Sequence, residues 1–179
     1  MPYRGNALLI LCCPYQTYMA DTEMIQEKLG EAIGLEKAAQ KAVEELESRG
    51  LLKSEHMKKL NKMKEQAGRQ EERMEKLVEE LTESEGFDSD AIESTGEETA
   101  EKASKMMETY LDEKPDIQEA LEFLCLAEGA EVTHYEVLTA IAKDVKNKKF
   151  GTTVREILKE EQAHLGACTK LAKTNASSE

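Results

Sequence analysis

The chain has 179 residues, of which 34% are charged and only 4% aromatic, and its formal net charge is -13. This length suits one domain with a sizeable core and is too short for two large domains. An acidic chain lacks the basic surface that displaces counterions from nucleic acid, so we expect no nucleic-acid partner. The absence of Trp and the scarcity of Pro and aromatic residues are typical of long helices and exclude most all-β folds.

The N-terminal segment contains one apolar run, ALLILCC at residues 7–13. This run is far too short to span a membrane, and we expect no membrane association. A Met at position 19, just before a predicted helix, favours a disordered extension over residues 1–18. We therefore predict a single helical domain at residues 19–174, followed by a disordered tail at residues 175–179.

The four cysteines show no disulfide framework. Cys12 and Cys13 are adjacent, whereas Cys125 and Cys168 fall within apolar helical patterns, where a free thiol behaves as a small core residue. Reduced thiols are typical of the cytoplasm, which is the location that we expect.

The first predicted helix begins at about Asp21, a suitable N-cap, and ends at Ser48 before Gly50. Its apolar stripe, in steps of three and four, is interrupted by one charge at Glu36. A buried carboxylate without a partner is costly, so Glu36 indicates a cation, a metal ion or a raised pKa. A small rotation of the helix, which would let Glu36 reach solvent, is the alternative.

The second predicted helix begins at Ser54 and ends at about Thr82. Its stripe is also interrupted in the middle, by Gln70 or Glu71, and the spacing does not decide which of the two points inward. Glu65 lies at the edge of the same stripe.

The acidic segment at residues 83–97 separates these two helices from the rest of the chain. We predict a short helix from about Glu97 to Leu111 within a crossover connection, ended by Lys114 and Pro115. The acids of this segment lack the spacing of a calcium-binding loop and are interpreted as solvated.

Two long helices follow the crossover. One opens with a capping box of Asp116 and Glu119 and extends to about Val145, with Glu128 and Glu131 at the centre of its seam. The last opens with Thr153 and extends to about Lys173, with the pair Glu161 and His164 at its centre. Two carboxylates one turn apart on a buried face are not an ordinary core.

The polar interruptions fall near the midpoints of all four long helices, so an up-and-down bundle would bring them into one layer. Two of them are Glu-x-x-His pairs, Glu131 with His134 and Glu161 with His164, whose members share a helix face. Facing Glu-x-x-His pairs are how helical bundles build binuclear metal sites. The sequence therefore predicts a carboxylate and imidazole metal site at the centre of a bundle.

Four motifs resemble the ferritin-like superfamily and, within it, the YciF/YciE-type stress-associated family, over residues 20–173: LEKAAQKAV (35–43), RQEERMEKL (69–77), EGAEVTHYEVL (128–138) and LKEEQAHLGACTKLA (158–172). The resemblance implies an antiparallel four-helix bundle with a long crossover that carries a short extra helix. It places the family's acidic ligands at Glu36, Glu65, Glu128, Glu131 and Glu161. The chain departs from the family's pattern at Gly68, where the second helix should carry a His.

We therefore expect a ferritin-like protein that binds iron, or alternatively manganese, as one or two ions per chain. The predicted ligands are Glu36, Glu131, His134, Glu161 and His164, with Glu65, Glu71 and Glu128 as further candidates. Such a site suits oxidase, ferroxidase or peroxide-detoxifying chemistry in a stress response, in a homodimer or larger homo-oligomer. The alternative is a non-catalytic acidic scaffold protein that has lost its metal, with the polar layer satisfied by hydrogen bonds.

Overall fold

The structure, a computed structural model, describes residues 21–111 and 113–177, so the predicted extension at residues 1–18 lies outside it. The described residues form five α-helices and one short 3-10 helix, with no β-strand among them. The all-α class expected from the composition is confirmed. The elements are α1 (Thr22–Ser48), α2 (Ser54–Glu85), α3 (Ser89–Tyr110), α4 (Ile117–Ile141), the 3-10 turn Ala142–Asp144 and α5 (Lys148–Ala176).

Local signals in the sequence fix several helix ends. The Asp21 side chain accepts a hydrogen bond of 2.7 Å from the Met24 amide at the start of α1. Asp116 and Glu119 form a complete capping box on α4, with hydrogen bonds of 2.9 and 3.0 Å. Gly50 follows α1 with a φ of 62°, a left-handed conformation that costs glycine little.

The acidic segment after α2 is more helical than predicted. Helix α3 begins at Ser89, not Glu97, because the Asp88 carboxylate accepts hydrogen bonds of 3.1 Å from the amides of Asp90 and Ala91. Asp88 therefore caps the helix and Asp90 lies in its first turn, and the helix has 22 residues where a short one was predicted.

Other predicted boundaries are corrected by interactions that are not local in sequence. Helix α5 begins at Lys148, not Thr153, because Glu85 at the end of α2 accepts hydrogen bonds of 3.2 and 2.7 Å from the amides of Lys146 and Asn147. The Asn147 side chain then caps α5. Helix α4 ends four residues before the predicted Val145, and α5 continues to Ala176, into the predicted tail.

Two apolar clusters lie at opposite ends of the helices. The first cluster includes Leu29, Met74, Leu138 and Ile157, and the second includes Leu46, Leu60, Leu124 and Cys168. Along α1 and α5 the chain passes from the first cluster to the second, and along α2 and α4 it passes from the second to the first. Because α3 contributes Ile92 to the first cluster and Met107 to the second, it runs in the same direction as α1.

Helix α1 packs against α2, α3 and α4, and α4 packs most extensively against α5. The contact between α1 and α3 depends on the absence of side chains at Gly30 and Gly34. A Cβ atom at Gly30 would lie 2.5 Å from the carbonyl oxygen of Ile92, and one at Gly34 would lie 2.7 Å from the Cβ of Thr99. The two backbones approach closely because both positions are glycine.

None of the helices described by the structure is long and apolar enough to cross a membrane. Cys125 and Cys168 are free thiols, and Cys168 is completely buried, as its apolar pattern predicted. Cys12 and Cys13 lie outside the described residues.

Candidate metal centre

A layer of buried polar side chains lies between the two apolar clusters. It contains four carboxylates and an imidazole, each at most 6% exposed, and they come from three helices: Glu36 on α1, Glu128 and Glu131 on α4, and Glu161 and His164 on α5. On every one of these helices the layer falls between residues of the first cluster and residues of the second. The polar side chains of the three helices therefore meet at mid-height, as the positions of the polar residues in the apolar stripes predicted.

Glu128, Glu161 and His164 form the tightest group in this layer. Each offers one potential ligand atom, and the three atoms lie within 4.8 Å of one another. The His164 Nδ1 atom is 3.3 Å from Oε1 of Glu161 and 3.6 Å from Oε2 of Glu128. Glu161 and His164 are held side by side because three residues of helix place them on one face.

The opposite side of the His164 ring contacts α2. Its Nε2 atom is 3.2 Å from the amide oxygen of Gln66. Because an amide oxygen only accepts, an Nε2–H of His164 can donate to Gln66, while the Nδ1 atom faces the carboxylates. Gln66 therefore orients the ring with Nδ1 towards the position where an ion would bind.

Glu36 is held by Tyr135, whose hydroxyl donates a hydrogen bond of 2.6 Å to Glu36 Oε1. Both residues are completely buried. Tyr135 therefore orients the Glu36 carboxylate within the layer. The predicted alternative, in which Glu36 reaches solvent, is wrong.

The carboxylates of the layer raise one another's proton affinity. Burial raises the pKa of Glu36 well above its ordinary value, and the nearby charges of Glu161 and Glu128 add to the effect. Burial and the same kind of neighbours also raise the pKa values of Glu128 and Glu131. Among the described residues no Lys or Arg is buried, so this part of the chain supplies no fixed positive charge to the layer.

Several carboxylate oxygens in the layer have no hydrogen-bond partner, a costly state for buried acceptors. The unpartnered atoms are Oε2 of Glu36, Oε2 of Glu128, Oε1 of Glu131 and both oxygens of Glu161. A void of about 10 Å³ lies beside Glu128, Glu131 and His164. Such a volume is about that of one water-sized sphere. Unpartnered acceptors around a small void are what a bound cation would satisfy.

Three of the predicted ligands lie outside this polar layer. Glu65 is exposed on α2. Glu71 accepts a hydrogen bond of 2.6 Å from Gln40, on the outer side of the contact between α1 and α2. His134 is partly exposed, with Nδ1 2.8 Å from the carbonyl oxygen of Ala130 and Nε2 3.2 Å from Glu31.

The second helix contributes amides to the layer instead of an acid. Of the two residues that the sequence left open, Gln70 points inward and is completely buried, and it donates a hydrogen bond of 2.9 Å to Glu160. The contact of Gln66 with His164 was not predicted from the sequence. Gln66 could have been identified as a candidate because it lies four residues before Gln70, which places both amides on one face of α2.

Comparison of the chain with protein-family models finds no match, and searches of curated proteins and of solved structures find none either.

Proposed function

We propose that this protein binds a divalent metal ion through Glu128, Glu161 and His164. The observation that carries the proposal is the meeting of these three ligand atoms within 4.8 Å in a buried layer. Around one ion with bonds of about 2.1 Å, neighbouring ligands lie roughly 3.0 to 3.5 Å apart. The distances of 3.3 and 3.6 Å from His164 Nδ1 to the two carboxylates are close to this spacing.

This donor set suits iron or manganese, and it lacks the thiolates of a structural zinc site. The ligands are carboxylate oxygens and one imidazole nitrogen, which favour iron or manganese. Cys168 is also buried nearby in sequence, but burial raises the pKa of its thiol far above the ordinary value. The thiolate that a soft metal requires is therefore disfavoured.

A second ion would find a different environment. Glu36 and Glu131 are the remaining buried carboxylates, but His134 lies outside the layer, so the described residues bring one imidazole and not two. We propose that the position at His164 has the higher affinity, and that any second ion depends on carboxylates alone.

The fold that we propose is a ferritin-like antiparallel four-helix bundle of α1, α2, α4 and α5, with α3 as its crossover. The directions of the helices support this arrangement, because α2 and α4 run opposite to α1 and α5. Helix α3 returns the chain from the first apolar cluster to the second along the outside of α1. The resemblance of the central motifs to the ferritin-like family points to the same arrangement.

The activity that we propose is oxidase, ferroxidase or peroxide-detoxifying chemistry in a stress response. A bound iron or manganese ion would supply the change of oxidation state. The chain's own contribution is to orient His164 through Gln66, to hold Glu36 through Tyr135 and to exclude water with the two apolar clusters. Its free thiols fit the cytoplasmic location that we expect.

A non-catalytic scaffold is the second candidate, and the raised carboxyl pKa values favour it. Protonated carboxyl groups can donate to one another, so the layer could be satisfied without metal and serve only to fix the helix register. A homo-oligomer is proposed in either case. The exposed apolar side chains Met106, Tyr110, Leu126 and Val137 support it, and the mass in solution would test it.

Metal analysis separates the two candidates. Iron, manganese and zinc should be measured in the protein purified from metal-replete cells, and in Glu161→Gln and His164→Ala variants. His134→Ala and Glu65→Gln are the matched controls, because these residues lie outside the cluster. Near-stoichiometric metal that is lost in the first pair and kept in the controls, with helicity unchanged, would exclude the scaffold. A wild-type protein without metal would exclude the metalloprotein.

A further inference from the structure

A cavity of about 110 Å³, called the outer cavity below, lies between α1, α3 and α4. Met106 on α3 and Leu126 on α4 line it, and both are large apolar side chains exposed to solvent. The outer cavity is therefore reached from the surface between α3 and α4. Most of its remaining lining is also apolar, including Leu35, Ala38, Met107 and Phe123.

The outer cavity and the small void at the candidate metal centre have a common wall. The void also touches Glu128 and His164, two of the proposed metal ligands. Two residues of α1 and two of α4 line both spaces: Ala39, Ala42, Ala127 and Glu131. Three of these four side chains are single methyl groups, so the wall is built from the shortest side chains other than glycine.

The polar residues in the lining of the outer cavity do not call for a polar ligand. The Ser104 hydroxyl donates a hydrogen bond of 2.8 Å to the carbonyl of Ala100, and Lys41 is exposed to solvent. Glu131 is only 3% exposed, so it presents almost no polar surface to the cavity. An ion that entered would lose its hydration without replacement, which is costly. The lining therefore favours an uncharged, apolar molecule.

The side of the void that faces α2 has a different character. Lys64 lines the void there, and its Nζ atom is 3.6 Å from Oε1 of Glu44 on α1. An apolar molecule gains nothing from this ion pair, whereas the outer cavity offers it an apolar surface. Of these two sides, the outer cavity is the better entrance for such a molecule.

We propose that the outer cavity is the route by which a small uncharged molecule, of the size of dioxygen, reaches the metal centre. The void beyond the common wall has a volume of about 10 Å³, close to that of one water-sized sphere, so only a molecule of very few atoms fits. Small movements that separate the alanine methyl groups of α1 and α4 join the two spaces. The use of this molecule as an oxidant rests on the metal site proposed above, whereas the route is a property of the metal-free chain.

Dissolved dioxygen tests the route because it is paramagnetic and speeds the nuclear relaxation of groups that it approaches. The full chain, treated with a chelator and labelled with ¹³C at the methionine methyl groups, is compared under dioxygen and under nitrogen. Met107 lines the outer cavity, Met63 lines the void, and Met74 lies outside both, in the first apolar cluster. Dioxygen should relax Met107 and Met63 more strongly than Met74. An anionic gadolinium chelate, which reports exposure to solvent, should relax Met106 and leave Met63 almost unaffected.

Two ways of filling the outer cavity assign the effect to this route. Ala103→Leu fills it from α3 and should lower the dioxygen effect at Met63 about twofold or more, because a filled cavity leaves no room for the gas. Ala91→Leu is the matched control, since Ala91 is an exposed residue of α3 outside the lining, and it should behave like the wild type. Xenon, which binds in empty apolar cavities, fills the cavity of the wild type. It should shift the signal of Met107 with saturation and lower the dioxygen effect at Met63.

Four results would overturn the proposal. They are the absence of a xenon shift at Met107, a dioxygen effect at Met63 no larger than that at Met74, an undiminished effect at Met63 with xenon bound, and an undiminished effect in Ala103→Leu with helicity unchanged. The last two results would indicate that dioxygen enters past Lys64. Because these measurements use metal-free protein, they are independent of the metal analysis: a wild type without metal would remove the role as oxidant and leave the route intact.

Discussion

Replacing Glu36 with Gln should stabilise the metal-free protein at neutral and alkaline pH. Glu36 is completely buried, one of its oxygens accepts from Tyr135, and the other has no partner. Glutamine keeps the shape and an acceptor for Tyr135 but removes a charge that Glu161 and Glu128 repel. The substitution therefore removes an electrostatic cost while it preserves the packing.

The direction of the pH dependence follows from the raised pKa of Glu36. In the unfolded chain the group titrates near 4.5, and in the folded protein it titrates at higher pH. Between these two values the folded state binds more protons, so the stability conferred by the protonated group is lost as the pH rises. Below pH 4.5 both states are protonated, and the substitution should have little effect on stability.

The expected magnitude is a few kcal/mol at most. Each pKa unit of difference between the folded and unfolded states corresponds to about 1.4 kcal/mol. The pKa values of Glu128 and Glu131 are also raised, so protonation of these neighbours relieves part of the repulsion, and we expect a gain of roughly 1 to 3 kcal/mol at pH 8. For a domain of this size, each kcal/mol raises Tm by about 2 to 4 °C.

Thermal unfolding followed by circular dichroism, with chelator present, should be compared at pH 4.5 and pH 8. The matched control is Glu79→Gln on the exposed face of α2, which should change stability by less than about 0.5 kcal/mol at either pH. A Glu36→Gln variant that is less stable than the wild type at pH 8 would refute the reasoning. So would a gain of the same size at both pH values.

Four further substitutions test other parts of the structure. Gln66→Leu removes the acceptor that orients His164, and metal affinity in a competition titration should fall about 10- to 100-fold without loss of helicity. Gly34→Ala places a methyl group against the backbone of α3 and should cost roughly 1 to 3 kcal/mol in denaturant unfolding. Gly129→Ala, which has open space around it, should instead gain about 0.5 to 1 kcal/mol in the same assay. Asp116→Ala removes the capping box of α4 and should cost about 1 kcal/mol by denaturant unfolding, and an unchanged midpoint would contradict its capping role.

The polar layer was predictable because it depends on helical periodicity. Glu36, Glu128, Glu131, Glu161 and His164 each stand at a position where the seam of a long helix should be apolar. A regular helix advances by a fixed amount per residue, so equal distances from the helix ends place such positions at equal heights. Burial of these five residues therefore followed from counting along the chain.

The direction of His134 was not predictable in the same way. A Glu-x-x-His spacing places two residues about 60° apart around the helix, so one can face the core while the other faces its edge. In α5 both members of the pair are buried, whereas in α4 Glu131 is buried and His134 turns to Glu31 on α1. Which outcome occurs depends on the rotation of each helix about its axis, and contacts with neighbouring helices set that rotation.

Helix α3 shows a second limit of the sequence. Its acidic first turn reads as loop because solvated acids give no periodic apolar signal, yet Asp88 caps it and the glycines of α1 provide its packing surface. Those glycines lie two to six residues before Glu36 on the same helix. Because Gly30 and Gly34 fix α1 against α3, they also fix the rotation of α1 that turns Glu36 towards Tyr135 and the buried layer. The same orientation of α1 therefore accounts for its close contact with α3 and for the inward position of Glu36.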